Sequence, residues 1–119
     1  MITGLDHVQV AIPRGGEDDA RAFYGGLLGM TEVPKPEALA VRGGCWFASG
    51  VAVLHLGVED PFTPSRKAHP AFLTDDLDGL ERILAGAGHT CVRSDGEIPG
   101  VVRFHTADPF GNRVELQQA

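Results

Sequence analysis

The chain has little of what several protein classes require. It has two cysteines, Cys45 and Cys91, in separate strand-like stretches, which argues against a disulfide framework or a zinc-binding cysteine cluster. No apolar run approaches the roughly 18 residues of a membrane span, and residues 1–6 do not resemble a signal peptide. Basic residues are also few, and the net charge of −6 argues against a nucleic-acid surface. We therefore expect a soluble, cytoplasmic protein with a small-molecule substrate and no nucleic-acid or membrane partner.

An internal repeat is what the sequence does contain, and it decides the fold prediction. The segments HVQVAI, from His7, and HPAFLT, from His69, are each followed by an acidic helix start and an amphipathic run that ends at glycine. Apolar residues alternate in the first part of each copy and recur at helical spacing in the second. We predict an α+β fold of two tandem βαβββ modules that form a mixed, curved sheet shaped like a cup.

The predicted domain is a single one, spanning residues 1–119. Module 1 covers about residues 1–58, a connector rich in proline and charge covers 59–68, and module 2 covers 69–119. The periodicity predicts helices at 17–28 and about 76–87, a loop at 34–38, and strands at 4–12, 30–33, 43–48, 51–58, 69–74, 90–93, 101–107 and 113–117.

Four side chains occupy repeat-equivalent positions on the first and last strands of the modules. His7 and His55 are 48 residues apart, and His69 and Glu115 are 46 apart. If the modules pair about a pseudo-twofold axis, or exchange across a dimer, these side chains converge. Two imidazoles and one carboxylate suit zinc, nickel, iron(II) or manganese and leave coordination positions open for a substrate. The sequence therefore predicts a divalent metal site.

Structural alternatives exist for each of these residues. A single histidine in a strand is more often a structural residue than a ligand, and this alternative is nearly as good for His55. Glu115 would otherwise be an outward residue of an edge strand, and Trp46 and Phe47 would be ordinary core residues.

Five motifs in this order resemble the vicinal oxygen chelate superfamily, which includes glyoxalase I, fosfomycin-resistance proteins, extradiol dioxygenases, methylmalonyl-CoA epimerase and bleomycin-resistance proteins. The motifs are GLDHVQVAI, FYGGLLGM, VLHLG, HPAFLTDDL and DPFGNRVEL. The resemblance covers essentially the whole chain. It implies that His7, His69 and Glu115 match the family's metal ligands, and that His55 matches a fourth ligand position, which is Glu in glyoxalase I.

The resemblance also implies roles for residues around the metal. Gln9, Trp46, Arg103 and His105 are expected to meet the substrate, with Arg103 holding an anionic group. Glu115 and His105 are the expected catalytic residues, and His105 would act as a proton shuttle. A homodimer is expected.

Three functions follow from these expectations. The first is a metal-dependent lyase, isomerase or dioxygenase that acts on a small molecule with two neighbouring oxygens. The alternative is a metal-free protein that sequesters an antibiotic or metabolite, as bleomycin-resistance proteins do. The third is a regulatory or immunity partner of a biosynthetic pathway.

Overall fold

A computed structural model describes residues 1–119, with eight strands and three helices. The strands are β1 Val8–Ile12, β2 Thr31–Val33, β3 Cys45–Ser49, β4 Ala52–Val58, β5 Ala71–Thr74, β6 Val92–Arg93, β7 Arg103–Ala107 and β8 Arg113–Gln118. The helices are α1 Glu17–Ala20, which continues as a π-helical segment Arg21–Leu27, α2 Glu37–Ala40 and α3 Leu77–Gly86.

The chain divides into two compact units, Met1–Thr63 and Pro64–Ala119, and the boundary lies within the predicted connector. Each unit contains one four-stranded mixed sheet, with the order β1-β4-β3-β2 in the first and β5-β8-β7-β6 in the second. In both sheets the first strand runs parallel to the last, and the other pairs are antiparallel. The same topology in both units confirms the α+β prediction with two βαβββ repeats.

The core of the first unit lies between its sheet and the α1 helix. Alternation along β1 and β4 directs Val10, Ile12, Leu54 and Leu56 to one face of the sheet, as predicted, and all four are buried. The helix contributes its buried residues to this core, Ala20, Phe23 and Tyr24. The opposite face of the sheet therefore carries His55 and Trp46.

The core of the second unit follows the same plan. Leu77 and Leu84 of α3 are buried, as are Phe104, Val114 and Leu116 of the sheet. Asp76 caps this helix, because its carboxylate accepts a hydrogen bond from the Gly79 amide at 3.0 Å. The face of the sheet that points away from the helix carries the residues that alternate with these buried ones, among them His105 of β7 and Glu115 of β8.

Several predicted strands begin later in the structure, since 4–12, 69–74, 90–93 and 101–107 start at residues 8, 71, 92 and 103, and two predicted elements differ in type. The predicted helix 17–28 is α-helical only to Ala20, and its continuation is π-helical, with a hydrogen bond from the Leu28 amide to the Phe23 carbonyl at 2.9 Å. The glycine pair of this segment has weak α-helical preference. The predicted loop 34–38 was wrong at its end, since Glu37–Ala40 forms a one-turn helix of strong helix formers after Pro36. One turn is too short to show periodicity.

Both cysteines are free thiols. Cys45 is buried in β3, and burial raises the pKa of its thiol to about 11. Cys91 is only half-buried. None of the helices has the length and apolar character needed to cross a bilayer.

Candidate functional site

The helix-free face of the second sheet carries a row of polar side chains. Along β8, Glu115 and Gln117 have the same parity, as predicted for this strand. In the antiparallel pairing with β7, His105 lies opposite Glu115 and Arg103 lies opposite Gln117. The register of two adjacent strands therefore brings an imidazole, a guanidinium, a carboxylate and an amide together.

His69, His105 and Glu115 meet at one point on this face. The His69 Nε2 and the His105 Nε2 each lie 2.9 Å from the same Glu115 oxygen, Oε1. The three ligand atoms are all within 4.8 Å of one another. The two imidazole rings are edge to face, with centroids 5.1 Å apart. Two nitrogen donors and one carboxylate in this grouping fit the donor set that binds divalent transition metals.

The backbone orients His69 for such a role. His69 lies two residues before β5, and its Nδ1 is 2.8 Å from the carbonyl oxygen of Lys67. A carbonyl oxygen only accepts hydrogen bonds, so Nδ1 carries the hydrogen. This contact turns Nε2 toward Glu115, where it would face a bound cation, and backbone carbonyls commonly orient metal-binding histidines in this way.

Two further side chains hold Glu115 in place. The Arg103 Nη1 lies 3.3 Å from both oxygens of the Glu115 carboxylate, and the Gln117 amide donates to Oε2 at 2.5 Å. Arg103 also contacts Glu97 at 3.3 Å and the Ser94 hydroxyl at 3.2 Å. Arg103 was predicted to meet the substrate, and the structure shows its guanidinium bound to these protein groups.

These contacts decide the charge state of the site. Glu115 is 3% exposed, and burial alone would raise its pKa, but hydrogen bonds from Gln117, His69 and Arg103 outweigh burial and lower the pKa to about 2. Burial and then the nearby charge of Arg113 lower the pKa of His105. The site therefore has an ionised carboxylate beside an imidazole that favours its neutral, ligand-competent form.

A cavity of about 840 Å³ opens beside this cluster, within the second unit. His69, His105 and Arg103 contribute to its wall, and Thr90, Val92 and Ala107 complete part of it. Its size lies in the range of small-molecule sites. The cluster is therefore reachable by a ligand of small-molecule size.

The first unit brings His7, His55 and Trp46 together as a stack. His55 lies between the Trp46 indole, with centroids 3.7 Å apart and planes at 3°, and the His7 ring, at 4.0 Å and 22°. The His7 Nδ1 also contacts the Asp6 carboxylate at 2.9 Å. Burial, then the proximity of His7, lowers the pKa of His55. Gln9 pairs with His55 in the β1–β4 register and is exposed. Four predicted site residues thus share one face.

The predicted metal set is divided between the units, with His7 and His55 in the first and His69 and Glu115 in the second. The sequence analysis did not group His105 with the ligands, although the register places it opposite Glu115. The repeat indicates this grouping, because the two pairs are equivalent. Trp46 lies opposite His55 in the first sheet, and His105 lies opposite Glu115 in the second. Only knowledge of the strand register makes that equivalence visible.

A family model, the Glyoxalase/Bleomycin resistance protein/Dioxygenase superfamily, matches residues 4–116. The chain belongs to this superfamily. The match spans both βαβββ units and thus the whole of the site described above. It confirms the family resemblance carried by the five sequence motifs.

Several known proteins resemble the chain over its length. A crystal structure of a protein assigned to the glyoxalase family, from Bacillus anthracis, is 48% identical, covers 99% of this chain and 96% of its own, and has a TM-score of 0.93. Glyoxylase I 4 of Arabidopsis thaliana is 27% identical over 97% of this chain and 70% of the relative. The fosfomycin resistance protein FosX of Listeria monocytogenes shares the fold, with a TM-score of 0.78 at 15% identity, over 100% and 95% of the two chains.

Proposed function

We propose that this superfamily member is a metal-dependent enzyme acting on a small molecule with two neighbouring oxygens. The observation that carries the proposal is the grouping of His69, His105 and Glu115, with three ligand atoms within 4.8 Å. A divalent cation bound there would supply Lewis-acid stabilisation of the anion that develops on a substrate oxygen. The reaction would be of the lyase, isomerase or dioxygenase type.

The residues around the cluster have supporting roles in this proposal. The Lys67 carbonyl orients the His69 ring so that its Nε2 points at the cluster. Gln117 donates to Oε2 of Glu115, and Oε1 of the same carboxylate faces the two imidazoles. His7 and His55 stay predicted ligands from the family resemblance, and the homodimer and the cytoplasmic location also stay predictions.

Two roles for His105 lead to different results on substitution. If His105 is a ligand, as its distance to Glu115 supports, then His105→Ala reduces both metal content and turnover. If it is only the predicted proton shuttle, the variant keeps its metal and loses turnover. In the shuttle case the pH profile of kcat changes as well, because the removed group exchanges protons.

The enzyme proposal is tested by turnover of a panel of substrates with neighbouring oxygens, namely a thiol hemithioacetal, a catechol and a 2-hydroxy ketone. We expect chelation to abolish turnover of at least one substrate and a divalent metal to restore it. His69→Ala should lose both metal and activity. His89→Ala, a histidine outside the cluster, is the matched control and should keep both. Full metal content and activity in His69→Ala would contradict the assignment.

A specific observation favours the metal-free alternative, sequestration of a small molecule. The carboxylate of Glu115 already has Arg103, Gln117 and two histidines around it, so its charge is balanced by protein groups. This function predicts tight ligand binding that chelators do not change. Equal ligand affinity before and after chelation, without turnover, would decide in its favour.

A further inference from the structure

We propose that the cavity of the second unit contains an oxyanion subsite formed by Arg113 and Lys67, and that the ligand of this site carries a carboxylate or phosphate group. The inference rests on the proposed function in one respect, because it assigns a charge to the substrate of that same site. It assigns the anion-binding role to Arg113 in place of Arg103.

The charged groups lining the cavity are unusual for this chain. Four cationic side chains and one carboxylate lie in the wall, in a protein whose net charge is −6. The cations are Lys67, Arg93, Arg103 and Arg113, and the carboxylate is Glu97. A concave wall with excess positive charge raises the local concentration of anions.

Two of the four cations already have protein partners. Arg93 pairs with Asp78 at 3.1 Å, Glu81 at 3.4 Å and Asp95 at 3.5 Å. Arg103 pairs with Glu97 and Glu115, both at 3.3 Å. Their positive charge is compensated within the protein, so neither is the best candidate for holding a ligand anion.

The side chains of Arg113 and Lys67 form no ion pair in the structure. Arg113 is half-buried, whereas Lys67 is exposed. A half-buried arginine without a carboxylate partner leaves its guanidinium available to a ligand anion. Its five N–H donors match the paired oxygens of a carboxylate or phosphate.

The position of Arg113 links this subsite to the proposed metal site. Arg113 begins β8 on the same face as Glu115 and lies opposite Ala107 in the β7–β8 register, two residues beyond His105. The small side chain of Ala107 leaves room over that part of the sheet. Arg113 and His105 also line the same cavity. An anion on Arg113 would therefore lie beside the His69, His105 and Glu115 cluster.

The test is anion binding to the whole chain. Binding is monitored by NMR of the backbone amides and the arginine Nε–Hε groups, before and after chelator treatment. Inorganic phosphate and acetate are the probes, which separate a phosphate preference from a carboxylate preference. The variants are Arg113→Gln, Arg113→Lys and Lys67→Gln. The matched control is Arg82→Gln, which removes an exposed arginine from α3.

We expect phosphate or acetate to shift the Arg113 side-chain signal of the wild type with or without metal. Arg113→Gln should bind the preferred anion about tenfold more weakly, because a charge-assisted pair is lost. Arg113→Lys should lose about threefold, since it keeps the charge but not the paired donors. Arg82→Gln should bind as the wild type does.

The proposal is overturned if Arg113→Gln binds both anions within twofold of the wild type, or if the wild-type shifts map elsewhere. Should Arg113→Gln fail to fold, Arg113→Lys and the wild-type map still decide. Anion binding in chelated protein that depends on Arg113 supports the subsite even if no metal site exists. If the protein binds a metal but shows no anion binding that depends on Arg113, the subsite is refuted and the enzyme proposal still stands.

Discussion

Replacing Glu115 by glutamine should destabilise the metal-free protein, and by an amount that depends on pH. Glutamine has nearly the shape of a protonated glutamic acid, so the variant reports what the negative charge contributes. The carboxylate is 3% exposed and lies among His69, His105 and Arg103. Removing it leaves the guanidinium without its buried counter-ion.

The size of the effect follows from the pKa. A pKa of about 2, against an ordinary value of 4.5, corresponds to about 3 kcal/mol of preference for the charged form. The partners are not fully desolvated, since the Arg103 side chain is 16% exposed and that of His69 is 21% exposed. We therefore expect Glu115→Gln to lose about 2 kcal/mol of the free energy of unfolding at pH 7.

The sign of the pH dependence follows from the lowered pKa. A carboxyl group whose folded pKa lies below its unfolded pKa contributes stability above the unfolded value, and this contribution is lost as the pH falls. The window for Glu115 runs from about 4.5 down to about 2. At pH 3 the difference between wild type and variant should be below about 1 kcal/mol.

Urea unfolding of chelator-treated protein at pH 7 and pH 3 measures both quantities. Glu37→Gln is the matched control, because Glu37 is exposed and pairs with no basic side chain. It should change the free energy of unfolding by less than about 0.5 kcal/mol. A Glu115→Gln effect as small as the control, or one that stays constant between pH 7 and pH 3, would refute the reasoning.

Gly44→Ala should cost about 3 kcal/mol or more, because Gly44 has φ +83° and a Cβ there would lie 2.0 Å from the Leu56 carbonyl oxygen. Gly29→Ala, at φ +74° with open space, should cost only about 1 kcal/mol in the same urea titration; equal losses would contradict the steric argument. Trp46 is the single tryptophan and stacks on His55, so its fluorescence should fall as His55 becomes protonated, with a midpoint below pH 6.5. A titration that persists in His55→Phe would show that another group quenches it.

The fold was predictable because both repeats show the same local pattern of apolar and acidic residues. Alternation around Val10 and Leu54 identified buried strand faces, and the acidic residues near Asp76 identified a helix start. The same pattern in both halves of the chain predicted the shared topology. Where local pattern was weak, prediction failed, as at the one-turn helix Glu37–Ala40.

The site was predictable only in part, because strand pairing is not a local property. Strand parity correctly placed Glu115 and Gln117 on one face. The distance from His105 to Glu115 depends on the register of β7 against β8, and a slip of one residue would turn His105 to the opposite face. The partners of Arg103 depend on side chains from a loop, for which the sequence contains no periodic signal.

Metal content by plasma mass spectrometry tests the central claim most directly, on protein purified without chelator or nickel affinity. The samples are wild type, the double variant His69→Ala/Glu115→Gln, and His89→Ala as control. We expect about one equivalent of a divalent metal per chain in wild type and control, and its loss from the double variant. Iron would favour oxygen chemistry, and zinc or nickel would favour proton transfer. A wild-type protein that contains no metal and does not bind added divalent metals would contradict the account.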